Sequence, residues 1–325
     1  VTRLPVGVIG TGALGRHHVR HLATLEDATL AGVYDIDPAR AREIAAQHGT
    51  RAYDDLDALL AAVEAVTIAV PTVHHAAVGL HVLERGVPAL MEKPLAASVE
   101  EADALIAMAD RRGVQLQVGH IERFNPAIRA AAPYLGLPRY VESQRLAPFQ
   151  PRGTDVAVVL DLMIHDLDLI LHLTGGADAL DVRANGIAVL SSHLDIANAR
   201  VEFDGGTVAN VTASRVSRER IRKLRIFQND GYLSLDLASG AGTFLRLKDG
   251  WRPGQGGELG DIVEMIPLAA PEADALRLEL ASFVHAVRGD REAVVTGREG
   301  RAALALALRV TAAVDASPAG AIPPA

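Results

Sequence analysis

Cysteine is absent from the 325 residues, which excludes disulfide scaffolds, thiolate zinc sites, iron–sulfur clusters and a cysteine nucleophile. Basic side chains are the minority, 32 Lys and Arg against 40 Asp and Glu, for a formal charge of −8. A nucleic acid or an anionic membrane selects a basic face, so neither is expected as the main partner. No uncharged apolar run approaches the roughly 20 residues of a membrane helix. The opening VTRLPVGVIGTG lacks the long apolar core of a secretory leader, and a cytoplasmic location is the expectation. What the chain does have is 49% apolar and 22% charged residues, the proportions of a globular protein with a large core. Its length fits two domains.

From Pro5 to about Val118, strand-sized apolar runs (VGVIG, LAGVYD, AVTIAVP, PALMEKP, VQLQVG) alternate with Ala/Leu-rich stretches. Those stretches have helical spacing, as in Ala102, Leu105, Ile106 and Ala109. A repeating βα unit of this kind predicts an α/β domain, a doubly wound parallel sheet with helices on both faces, over residues 1–120. Gly49, Gly86 and Gly113 stand where helices should end. Over residues 121–325 the rhythm predicts an α+β domain on an open, largely antiparallel sheet. There a helical stretch from Val156 to Leu173 precedes alternating segments between Asp181 and Leu247, split by Gly-Gly, Asn-Asp-Gly and Asp-Gly turns. Two helices near Ala273–Arg288 and Arg298–Val314 and a Pro-rich tail follow.

In VIGTGALG, Gly10, Gly12 and Gly15 have GxGxxG spacing directly after the first strand and at the start of a helix. The first glycine makes the tight turn, the second lets the backbone approach a pyrophosphate, and the third allows close helix packing; the helix N-terminus supplies amide donors. Gly10, Thr11, Gly12, Ala13, Leu14 and Gly15 are the expected pyrophosphate loop. Asp35, 20 residues past Gly15, is placed to accept ribose hydroxyls and to repel a 2′-phosphate. NAD is therefore the expected cofactor, with Arg40 leaving NADP possible.

Followed by MEKPL, VGHIERFNP and DLMIHDLD, this site makes the chain resemble the Gfo/Idh/MocA family of NAD(P)-dependent sugar and cyclitol oxidoreductases. AVPTVHH is similar to the family's strand-three segment, with Thr72 at an asparagine position and His75 at the histidine position. The resemblance implies cofactor contacts from Pro71, Thr72, His75, Glu92, Lys93 and His120, and catalytic roles for Lys93, Asp161 and His165. Those roles make chemical sense. Removing hydride from a secondary alcohol also requires loss of the hydroxyl proton, hence a base and a group that stabilises alkoxide character. His165 suits the base, Lys93 the oxygen contact, and Asp161, one helical turn before His165, the orienter. Lys93-Pro94 is a candidate cis peptide. The active site is expected in the crevice between the two domains, and the resemblance also implies that the broad sheet of the second domain packs against another subunit, giving a homodimer or homotetramer.

Asp161, His165, Asp168 and His172 recur at intervals of four, three and four residues, but a straight helix rarely brings four ligands onto one ion, so no metal is expected. His17, His18 and His21 read as packing or solvated side chains. On the substrate side the candidates are Arg123, Phe124 and Asn125 of HIERFNP, Phe149 and Arg152 of the loop RLAPFQPRGTD, and Arg215. SRVSRERIRKLR carries six cations against one Glu; it reads equally as a diphosphate clamp, a solvated strand face or a subunit contact. These segments look most like the family branch of UDP-N-acetylglucosamine 3-dehydrogenases. A dehydrogenase of a free sugar, inositol or other cyclitol is the alternative, and a catalytically silent NAD-binding regulator a further one.

Overall fold

Short apolar strands separated by capped helices build the first unit of the computed structural model. The described residues are 3–150, 156–252, 255–271 and 273–317. They divide into one unit of Val1–Ile121 with Ala273–Leu304 and a second of Glu122–Glu272 with Ala305–Ala325. The first begins with β1 (Leu4–Ile9), α1 (Gly15–Leu22), β2 (Ala28–Tyr34), α2 (Pro38–His48), α3 (Leu56–Leu60), β3 (Ala65–Ile68), α4 (His75–Glu84), β4 (Ala89–Glu92), α5 (Val99–Arg112) and β5 (Leu116–Gly119). Helix limits follow local chemistry. Asp37 caps α2 by accepting from the amides of Ala39 and Arg40, and Ser98 caps α5 by accepting from Glu101. Gly49 and Gly113 close the same two helices in the left-handed conformation.

The strands lie parallel in the order β2-β1-β3-β4-β5. Outside β2, Val33 makes a single parallel bridge to Ala52, with Val33 N–H donating to Arg51 O and Tyr53 N–H to Val33 O. That bridge occupies the place of a third strand, so the order is the dinucleotide-binding 3-2-1-4-5-6 with its third member reduced to one residue. Strand order reverses between β1 and β3, where doubly wound sheets bind ligands beyond the strand ends.

The second unit holds α6 (Pro126–Ala131), β6 (Tyr140–Leu146), α7 (Ile164–Leu173), β7 (Ala179–Ile187), β8 (Ile196–Phe203), β9 (Val208–Ser214), β10 (Ile221–Gln228), β11 (Gly231–Asp236), β12 (Ala241–Leu247), α8 (Leu259–Ile262) and β13 (Val263–Ala269). Its sheet runs β13-β12-β11-β10-β6-β9-β8-β7, antiparallel except for the parallel pair β6 and β9. Strand alternation is plain in β8, where Ala197, Ala199, Val201 and Phe203 are buried and Asn198 and Arg200 exposed. β13 lies beyond the segments anticipated from the turn signals.

Two helices close the chain, α9 (Ala275–Val287) and α10 (Gly297–Asp315). Residues 273–304, expected within the domain of residues 121–325, pack in the first unit. The physical reason is the apolar face of α9, whose Leu280, Phe283 and Val284 enter one core with Val6, Val8, Val19 and Leu90. Thr296 adds an antiparallel bridge to Gln117 at the free edge of β5.

Candidate active site

β1 ends at Ile9, and the chain turns through Gly10 with φ of 86°. A Cβ there would sit 2.7 Å from Ala69 O, and one on Gly15 would collide with Gly10 O, so both positions demand glycine for packing. Gly12 differs: its backbone is not left-handed and a Cβ would meet nothing within 4 Å. The chain's own packing does not require glycine at that position, whereas close approach of a phosphate to the loop does. Thr11 is buried, while Ala13 and Leu14 are exposed on the loop. Asp35 accepts from Thr11 N at 2.7 Å, Thr11 Oγ1 at 2.9 Å and Asp37 N at 2.9 Å. Burial pushes its carboxyl up, but these donors and the Arg40 guanidinium outweigh burial and hold it below its ordinary value. Arg40 stands 3.6 Å from Asp35 and 3.1 Å from Asp37, tying Asp35 to a cation the sequence had marked. Ile36, passed over in the sequence, is 89% exposed directly beside Asp35.

At the end of β4, Glu92 precedes Lys93, whose bond to Pro94 is cis. His18 of α1 reaches Glu92, Nε2 to Oε1 at 2.9 Å, and Glu92 Oε2 accepts from Lys93 N at 3.2 Å. One carboxylate thus ties the helix of the glycine loop to the main chain of Lys93. Burial would raise the Glu92 carboxyl, but the His18 hydrogen bond and charge and the Lys93 ammonium hold it below its usual value. His18 is therefore a structural partner rather than a loosely packed histidine. Pro71 and Thr72 begin the turn after β3, Pro71 exposed and Thr72 half-buried. His75 and His120, expected to touch cofactor, are 1% and 0% exposed. The His75 ring pins two turns together, with Nδ1 2.8 Å from Pro94 O and Nε2 2.9 Å from Val70 O, and burial lowers its pKa. Both histidines are buried.

In the second unit the expected helix from Val156 begins instead at Val159, as a π turn through Met163 that runs into α7. Ile164 N–H donates to Val159 O, the five-residue step that defines such a turn. Asp161 lies in this turn and His165 in the first turn of α7, both half-buried. The acids that follow are taken by arginines. Asp168 receives Arg123 Nε at 2.6 Å and Nη2 at 2.8 Å; Asp166 receives Arg145 Nε at 2.7 Å and Nη2 at 3.1 Å. Among the described residues no group of three or more His, Asp and Glu is disposed to hold a metal ion.

Several of the expected substrate residues are engaged inside the protein. Arg123 is a buried partner of Asp168, and Phe124 is 9% exposed. Asn125 caps α6 by accepting from Ala127 N and donates to Glu122 Oε2 and Leu237 O. These three side chains are used in holding the segment together. Phe149 is 39% exposed, and Arg152 lies outside the described residues. Arg215 is buried, donating to Asp195 Oδ1 at 2.8 Å, Val156 O at 2.7 Å and Ser191 Oγ at 3.0 Å. It nonetheless lines a cavity of about 350 Å³ together with Asp161, Arg145, Arg220, Arg222 and Gln150. Arg145 was not among the expected substrate residues, whereas Arg220 and Arg222 belong to the segment SRVSRERIRKLR, for which a diphosphate clamp was one of three readings. Their convergence depends on strand register, which composition does not carry.

The oxidoreductase family, NAD-binding Rossmann fold, of the Gfo/Idh/MocA group matches residues 4–120, and the Gfo/Idh/MocA C-terminal domain matches residues 131–234. The chain is 45% identical over 315 residues to UDP-N-acetylglucosamine 3-dehydrogenase of Acidithiobacillus ferrooxidans, covering 95% of this chain and 97% of that one. A solved structure of UDP-N-acetylglucosamine 3-dehydrogenase from the same organism has a TM-score of 0.89 at 43% identity, covering 97% of this chain and 99% of the other. It is also 31% identical to scyllo-inositol 2-dehydrogenase (NAD(+)) of Bacillus subtilis, over 65% of this chain and 67% of that protein.

Proposed function

The chain belongs to the Gfo/Idh/MocA family of oxidoreductases, and on that premise we propose that it oxidises the 3-hydroxyl of UDP-N-acetylglucosamine with NAD. The observation that carries this reading is that the likeness to UDP-N-acetylglucosamine 3-dehydrogenase runs through both units, over 95% of the chain. The inositol dehydrogenase of Bacillus subtilis matches 65%.

The first unit fits the dinucleotide by a test independent of that likeness, the open space at Gly12 between two sterically obligatory glycines. Residues Gly10 to Gly15 would hold the pyrophosphate, Asp35 the ribose, and Ile36 would offer an apolar flank to the base. NAD, when bound, supplies the hydride acceptor. What remains is proton and charge management by the protein. Lys93 holds the substrate oxygen with its ammonium and stabilises the negative charge that develops there. The hydroxyl proton passes to an imidazole nitrogen of His165. Asp161, in the π turn just before it, orients the sugar or the imidazole.

NADH formation by purified protein tests the reading against UDP-N-acetylglucosamine, UDP-glucose, myo-inositol and glucose. Turnover confined to UDP-N-acetylglucosamine is the expected result; turnover of the unphosphorylated polyols alone overturns the substrate, and NAD binding without any turnover overturns the activity. The same reading places the protein in the cytoplasm and makes it a homodimer or homotetramer. Light scattering coupled to gel filtration would return a single subunit mass if assembly is wrong.

A further inference from the structure

The six cations of SRVSRERIRKLR do not form one cluster, because the pleat of β10 divides them. Arg222 shares a face with buried Leu224 and Ile226, whereas Lys223 and Arg225 point the other way, Arg225 to Glu142 at 3.0 Å. In the antiparallel ladder Arg222 stands directly opposite Arg145 of β6. Like charges in that position repel. Among the described residues Glu122 is the carboxylate within 4 Å of both: its Oε1 is 2.8 Å from Arg145 but 3.8 Å from Arg222. Arg145 is further matched by Asp166, and Arg215 by Asp195. Arg220 makes no ion pair within 4 Å among the described residues. Burial and the facing Arg145 pull the Arg222 guanidinium below its ordinary value, with Glu122 opposing them. Four guanidinium groups therefore line one cavity with Asp161, two of them matched by internal carboxylates and two under-matched.

We propose that Arg220 and Arg222 form an anion subsite for the phosphate groups of the substrate, with Arg145 and Arg215 as the rigid wall behind them. The inference rests on the sugar-nucleotide reading and adds the residues that choose a phosphorylated sugar over a neutral one. A guanidinium presents two parallel donors to phosphate oxygens, and an unmatched one gains most from a charge-assisted pair. Glu122 sets the approach of Arg222 by holding Arg145 while leaving Arg222 beyond hydrogen-bond distance.

The test uses R220A, R222A and R222K, with R225A as the control from the opposite face. Steady-state constants are read for UDP-N-acetylglucosamine, N-acetylglucosamine 1-phosphate and N-acetylglucosamine, and UDP binding is read by calorimetry. R222A should raise KM for the sugar nucleotide roughly 10- to 100-fold at nearly constant kcat, because uniform binding is lost. KM for NAD and the melting temperature should stay at parent values, and R225A should match the parent. An equal effect on the 1-phosphate and the nucleotide assigns the subsite to the sugar-proximal phosphate, and a loss confined to UDP species assigns it to the diphosphate. Unchanged KM and UDP affinity in both R220A and R222A would overturn the subsite while leaving the dehydrogenase reading intact. If no substrate turns over, loss of UDP binding in R222A still supports the subsite, and retained binding overturns it.

Discussion

Gly12 and Gly15 separate packing from ligand contact within one loop, and their alanine variants should behave oppositely. In G15A the new Cβ collides with the Gly10 carbonyl oxygen, a main-chain atom of a turn held by the Gly10 N–H donating to Tyr34 O at 2.8 Å. Neither atom can rotate away, so the overpacking should cost about 1–3 kcal/mol. At roughly 2–4 °C per kcal/mol that lowers the melting temperature by about 2–12 °C. In G12A the Cβ meets no protein atom within 4 Å and the backbone is not left-handed. Stability should stay within about 0.5 kcal/mol of the parent. The methyl instead fills the approach to the loop amides, and losing a charge-assisted hydrogen bond there, about 1.5–3 kcal/mol, weakens NAD binding roughly 10- to 150-fold. Differential scanning fluorimetry reads the first quantity and titration of NADH fluorescence the second. If G12A bound the dinucleotide within about twofold of the parent at an unchanged melting temperature, the pyrophosphate would not lie on Gly12 and the reasoning would fail.

D35A should weaken NAD binding and narrow its advantage over NADP, and it should also lower the melting temperature, because the buried Thr11 N–H and hydroxyl lose their acceptor. The folded carboxyl lies below its unfolded value, so its stabilising effect is complete above that value and lost as pH falls through the acid range. Between about pH 7.5 and 9, where the 2′-phosphate of NADP is also fully ionised, the NAD preference of the parent should therefore be flat, and a preference that drifts across that range would remove Asp35 from the ribose. K93A and H165A should each lower kcat by roughly 10²- to 10⁴-fold with NAD affinity retained; near-normal turnover in both would remove them from the reaction. R123A should remove the two-pronged ion pair to buried Asp168 and cost about 3–5 kcal/mol of stability. Chemical denaturation checks this, and a variant of parental stability with raised substrate KM would return Arg123 to the substrate site.

Much of the first unit was legible because its determinants are local. Strand length, the Asp37 and Ser98 caps, the left-handed glycines and the GxGxxG spacing each act over a few residues, so reading them in order recovers the βα repeat and the cofactor loop. The segment Ala273–Leu304 was not assigned to that unit, because an amphipathic helix declares an apolar face but not which core receives it. For the same reason His75 carried the right residue type for a cofactor contact, yet only the tertiary structure shows its ring between two main-chain carbonyls.

Sequence alone determined the fold class and the glycine-rich loop after β1, and its resemblance to the family supplied the set Lys93, Asp161 and His165 on which the proposed chemistry rests. Tertiary structure decided how the arginines are used. Arg123, Arg145 and Arg215 are held by Asp168, Asp166 and Asp195, while Arg222 is set against Arg145 with half a carboxylate between them. Charge is countable in a sequence, but its compensation depends on distances of a few ångströms between residues far apart in the chain. Only strand register and helix placement supply those distances.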